Sequence, residues 1–131
     1  MNILRSLLFN LLFFAGSLFW SIALLWTLVL PEKQCARIVS TIYGGYITLI
    51  EKYVMGLTLE IKGLENIPKD GPYIIAAKHQ SAFETLKLPY AKKFGYPAII
   101  LKKELTRIPF YGWYFGGMGQ IAIDRGEARR R

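Results

Sequence analysis

The chain has 131 residues, a formal net charge of +8 and 53% apolar side chains. One domain is the expectation at this length, and the apolar share is high for a soluble domain of that size. The single cysteine, Cys35, rules out an internal disulfide and fits a reducing compartment.

The apolar excess lies at one end. From Ile3 to Leu30 the only charge is Arg5. A helix over that stretch would be about 42 Å long, against a hydrocarbon core of about 30 Å. Residues 1–30 are therefore expected to form a retained membrane helix, spanning with tilt or lying partly in the interface. A cleaved signal peptide would carry a shorter apolar core of about 7–15 residues ending in small side chains. "TLVLPEKQCA" has no such ending. Trp20 and Trp26 are candidates for interface anchors, or pack on lipid or protein.

Apart from Arg5, all of the 17 Lys/Arg and all 9 acids follow Pro31. Lys33, Arg37 and Lys52 come soon after the apolar run, which favours the cytoplasm for this side. A basic face beside a membrane suits anionic headgroups and phosphorylated substrates. No nucleic-acid-binding motif accompanies the charge, so no nucleic-acid partner is expected.

Pro31 breaks the apolar run, and an amphipathic helix is expected over 31–56. Its apolar side would carry Ile38, Ile42, Tyr46, Leu49, Ile50 and Tyr53. Gly44-Gly45 either weakens it or permits a close helix contact. "LTLEIKG" alternates as a strand, with Leu57, Leu59 and Ile61 on one face. After the turn-rich "LENIPKDGP", "YIIAA" reads as a short buried strand. A helical pattern runs from Ser81 to about Phe94, followed by "PAIIL" as a strand. "KKELTRIPFYGWYFGGMG" reads as a short helix broken by Pro109, and "QIAID" as a further strand. Strands alternating with helices predict a layered α/β domain over 57–131 with parallel pairing.

His79 is the only histidine and sits where a buried strand is expected to give way to a helix. Ligands of open α/β sheets bind outside the carboxyl ends of strands. Ser81 and Glu84 already have a structural explanation as a capping box, Ser81 at the N-cap and Glu84 at N3. That explanation leaves His79, Gln80 and Lys78 unaccounted for.

"KHQSAFET", "LKKELTRIPFYGW" and "GQIAIDR" together resemble the glycerolipid acyltransferase family, in particular its 1-acylglycerol-3-phosphate acyltransferases. His79 and Glu84 occupy the family's His and acid positions. Lys102, Glu104, Leu105, Pro109, Gly112 and Trp113 match its second region, and Gly119, Ile123, Asp124 and Arg125 match the next motif. Glu84 stands where most members have Asp, in the manner of a bacterial branch, and Lys78 replaces the usual Asn. The family's later Phe-Pro-Glu-Gly-Thr-Arg motif does not occur before Arg131, so the chain reads as the N-terminal half of such an enzyme.

The resemblance implies transfer of an acyl group from acyl-CoA or acyl-carrier protein to the hydroxyl of lysophosphatidic acid. It implies His79 as general base, Glu84 as its orienting carboxylate, and Arg125, Lys102, Glu104 and Gly119 as substrate-binding positions. Neither a metal nor a bound cofactor is expected. The partners implied are membrane lipid, the lyso-lipid and the acyl donor, at the cytoplasmic face of a bacterial inner membrane. A non-catalytic, membrane-bound remnant is the competing expectation.

Overall fold

The computed structural model describes residues 3–78 and 92–124. Helix α1 spans Ile3–Ala23, and helix α2 spans Glu32–Ile50. The apolar run is therefore not one helix to Leu30. It breaks after Ala23 into a 3-10 turn over Leu25–Val29. The break has a local cause: the Thr27 hydroxyl is fully buried and donates to the Leu24 carbonyl at 2.7 Å. Pro31 then starts α2 by accepting from the amides of Gln34 and Cys35, with Glu32 in the first turn, where a carboxylate favours the helix dipole. The Cys35 thiol reaches back to Thr27 Oγ1 at 3.5 Å and closes the corner.

The two helices run antiparallel, as the pairs Tyr43–Ser17 and Tyr46–Leu12 show. The buried stripe of α2 is Cys35, Ala36, Val39, Ser40, Tyr43, Gly44, Ile47 and Ile50. It is rotated in part from the expected face: Ile50 is buried and Ile38, Ile42 and Tyr46 are half-buried at its edge, while Leu49 and Tyr53 are 55% and 72% exposed. Ala36, Ser40 and Gly44 recur every fourth residue and form a groove of small side chains along one side of that stripe. Gly45 is exposed. A second notch lies on α1, where a Cβ on Gly16 would overlap the Tyr46 ring. The Tyr46 hydroxyl donates across that notch to the Leu12 carbonyl at 2.7 Å.

Helix α2 runs on into a wider π-helical turn, Glu51–Met55, which Gly56 ends with φ +69°. The two strands expected in 57–63 and 73–77 do not form: neither segment carries a ladder. Alternation gives a segment two faces, but a strand also needs a neighbour to supply hydrogen bonds. Among the described residues that happens only between β1, Ile100–Lys102, and β2, Ile121–Ile123. They pair in parallel, Ile100 opposite Ile121 and Lys102 opposite Ile123. Between them come a 3-10 turn, Lys103–Arg107, and the short helix α3, Trp113–Gly117. The α/β expectation thus holds in part: the described chain is mostly helical, with a small parallel sheet. The helix expected from Ser81 lies outside the described residues.

The body docks on the hairpin through α3. The Tyr114 hydroxyl donates to the Ser21 carbonyl of α1 at 2.8 Å, a buried bond. A Cβ on Gly117 would come within 2.6 Å of Leu28, so α3 rests closely on the 25–29 turn. Tyr114 and Met118 join Leu24, Val39, Tyr43 and Ile47 in one core.

Candidate active site

The two parallel strands end side by side. Because Lys102 pairs with Ile123, the start of "KELTR" and the Asp124 that follows β2 share the carboxyl edge of the sheet. Lys102 is exposed as the last residue of β1, and Glu104 is exposed in the turn beyond it. Parallel strands present their ligand-binding edge here. Gly119 is placed elsewhere, before the amino end of β2. Its φ of +66° suits a residue without a side chain, and an added Cβ would meet the Glu32 carboxylate at 2.7 Å. Lys78 is exposed. His79, Glu84 and Arg125 lie outside the described residues.

A cavity of about 290 Å³ opens between the hairpin and the body. Phe13, Trp20 and Leu24 line it from α1 and the residue after it. Val39 and Tyr43 line it from α2, and Leu101, Leu105, Tyr111 and Phe115 from the body. The walls are nearly all apolar. Gln120 crosses its end, accepting from the Ile99 amide at 2.5 Å and donating to the Met118 carbonyl at 3.2 Å, and so holds β1 beside β2.

Sequence reasoning missed this cavity because its wall comes from three separated stretches. The available signal was the polar and small residues within the apolar run. Gly16, Ser17 and Ser21 recur at helical spacing and mark the face of α1 that meets protein. The Ser17 hydroxyl donates to the Phe13 carbonyl, which leaves Tyr43 as the donor in their 2.9 Å contact.

Burial pushes the Tyr114 phenol up to about 12, helped by the nearby Cys35 thiol, and pushes Tyr111 higher still. A phenol that stays neutral in the fold but ionises near 10 once unfolded supports the fold fully below pH 10. That support is lost as pH rises from 10 through 12. Alkaline unfolding is expected to begin near pH 10, and Tyr114→Phe should flatten its pH dependence while costing about 1–2 kcal/mol for the unsatisfied Ser21 carbonyl. Denaturant melts of both proteins between pH 7 and 12 check this, and an unchanged slope in Tyr114→Phe would contradict it.

The chain belongs to the acyltransferase family, whose profile matches residues 58–131. One relative is a 1-acyl-sn-glycerol-3-phosphate acyltransferase of Pseudomonas aeruginosa, 34% identical over 96% of this chain and 48% of its own length. The proteins of that name from Saccharomyces cerevisiae and Borreliella burgdorferi are 33% and 36% identical over 60% and 61% of this chain. These alignments cover 25% and 32% of those two proteins. The chain thus spans about half the length of the Pseudomonas relative and less of the others. No solved structure matched it.

Proposed function

We propose that this chain supplies the membrane-seated, base-bearing part of an enzyme that acylates 1-acylglycerol-3-phosphate to phosphatidic acid. The observation that carries the reading is the meeting of two family motifs at the carboxyl edge of the β1–β2 pair, on a body that also walls an apolar cavity. One place can then serve a charged headgroup and an acyl tail.

In this reading His79 takes the proton of the acceptor hydroxyl as its oxygen attacks the thioester carbonyl. An unactivated alcohol needs such a base, worth about 10²–10⁴-fold. The tetrahedral intermediate collapses, the C–S bond breaks, and the imidazolium returns the proton to the departing thiolate. Glu84 orients the imidazole and stabilises its charged form. The nucleophile is the substrate's own oxygen, so no acyl-enzyme forms. Arg125 binds the phosphate as a two-pronged donor, and Lys102 adds charge at the same edge with Glu104 beside it. Gly119 contributes by shaping the turn into β2. The acyl donor, acyl-CoA or acyl-carrier protein, lays its tail in the apolar cavity.

The geometry also favours an in-plane membrane helix over a spanning one. Helix α1 is long and apolar enough to cross a membrane. However, the body lies alongside its Phe13–Leu24 stretch, while Phe14, Leu18, Phe19 and Ile22 on other faces are exposed. A helix with a water-borne body on one side and bare apolar side chains on another belongs in the interface, here on the cytoplasmic face of a bacterial inner membrane.

The test assays acyl transfer in an enzyme of the relatives' length that carries this chain. Val39→Trp narrows the cavity and should depress turnover of long-chain donors while short-chain donors are still used. Equal losses for all chain lengths would remove the tail from this cavity. No turnover of lysophosphatidic acid by the unsubstituted enzyme would refute the reading itself.

A further inference from the structure

The segment between Lys102 and Trp113 has two sides. Leu105 and Tyr111 face the cavity. Ile108 and Trp113 face outward, 43% and 52% exposed, and Pro109 is exposed between them. Phe110 packs edge-on against Trp113, ring centroids 5.2 Å apart. Three exposed cations, Lys102, Lys103 and Arg107, accompany this apolar group, with Glu104 as the one acid among them.

The backbone holds the group out at a cost. Phe110 has φ +61°, and the Tyr111 amide donates to the Pro109 carbonyl at 2.7 Å, which closes a γ-turn of the strained hand. The Gly112 amide donates to the Ile108 carbonyl at 2.7 Å and locks the turn from the other side. A bulky residue at positive φ persists only where its surroundings enforce it, and such strain gathers at binding and switch sites. Phe110 itself is half-buried, packed on the exposed Trp113 ring.

We propose that this turn is a second membrane contact, separate from α1, in which Ile108, Phe110 and Trp113 enter the headgroup region of an anionic bilayer. Aromatic rings with an apolar body and a polar edge favour that depth, and Lys103 and Arg107 beside them complement anionic phospholipid. An acidic protein would satisfy the cations but not the bare apolar group. The position agrees: Trp113 opens α3, and α3 rests on the same 25–29 turn that exposes Trp26 and Val29. Trp113 thus stands one helical turn before Gly117, the residue that meets Leu28 of that turn. The inference rests on the proposed membrane seat of α1, and its test reads the turn without any assay of turnover.

The full chain with Trp20→Phe and Trp26→Phe keeps Trp113 as its one indole. In vesicles of phosphatidylcholine and phosphatidylglycerol with bromine high on the acyl chains, Trp113 emission should be quenched. Adding Lys103→Gln and Arg107→Gln should weaken the contact by about fivefold per charge and lower the quenching accordingly. Ile108→Asp, at an exposed position that the fold tolerates, should lower it as well. A companion with Trp26 alone reports the 25–29 turn that follows α1. Bromine quenching of Trp26 with Trp113 untouched would overturn the inference and leave the proposed seat of α1 standing. Shielding of Trp113 by an acidic acyl-carrier protein, with no bromine quenching, would overturn it in favour of a protein partner.

Discussion

His79→Ala should abolish nearly all acyl transfer, a loss at least as large as that of Glu84→Gln, for which about 10⁴-fold is the upper reference from triad carboxylates. The measurement belongs in an enzyme of the relatives' length that carries this chain. Glu84→Gln is the sharper variant. Glutamine and glutamate both serve at the third position of a capping box, so stability should change by less than about 1 kcal/mol. Only glutamate carries the charge that supports an imidazolium, so kcat should fall substantially all the same. The double variant should lose little beyond His79→Ala, because the pair acts as a unit. If Glu84→Gln turns over normally while His79→Ala is dead, Glu84 is a helix cap and the base lacks a carboxylate.

Gly112→Ala is expected to cost about 2–3 kcal/mol. The new Cβ would run into the carbonyl oxygens of Thr106 and Ile108, the latter at 2.7 Å. Both belong to backbone held by local hydrogen bonds, Thr106 by its side chain to Lys103 and Ile108 by the Gly112 amide. Neither yields as a flexible side chain would, so overpacking is felt in full. Gly45→Ala is the matched control. Its Cβ meets nothing within 4 Å, and an alanine on an exposed helix face should stabilise by about 0.5–1 kcal/mol. Thermal melts in detergent compare the two, and equal effects would show that the 106–112 turn is softer than its hydrogen bonds imply.

The family motifs were legible in the sequence because order and spacing are covalent facts that survive any error in the fold. The register that joins two of them at one sheet edge was not legible beyond an expectation of parallel strands, since Lys102 finds Ile123 only by pairing across about twenty residues. Apolar runs located β2 within "QIAID" and β1 only roughly, since "PAIIL" starts three residues before Ile100. The same reasoning failed at 57–63 and 73–77, because a ladder partner is a property of the whole chain. The face of α2 was misjudged for a different reason. The spacing of large side chains puts Leu49 and Tyr53 inside, whereas the buried stripe takes in the small residues Ala36, Ser40 and Gly44 instead. Composition likewise saw one apolar stretch to Leu30 and missed the corner that a single buried hydroxyl, Thr27, makes after Leu24.

The serines of α1 bear on how the molecule is assembled. Ser17 and Ser21 each return their hydroxyl proton to the carbonyl four residues earlier in the same helix, Phe13 and Ser17, at 2.6 Å. The helix therefore needs no partner to satisfy these donors, and it can settle among lipids while the rest of the chain is still being synthesised. What it then presents is a row of acceptors: the Leu12 carbonyl, the Ser17 oxygen and the Ser21 carbonyl. Tyr46, Tyr43 and Tyr114 each supply one phenolic proton to that row. Two of the three come from α2 and the third from α3, 93 residues after the Ser21 carbonyl that it meets. The first two bonds lie within the α1–α2 hairpin, and only the third depends on the body.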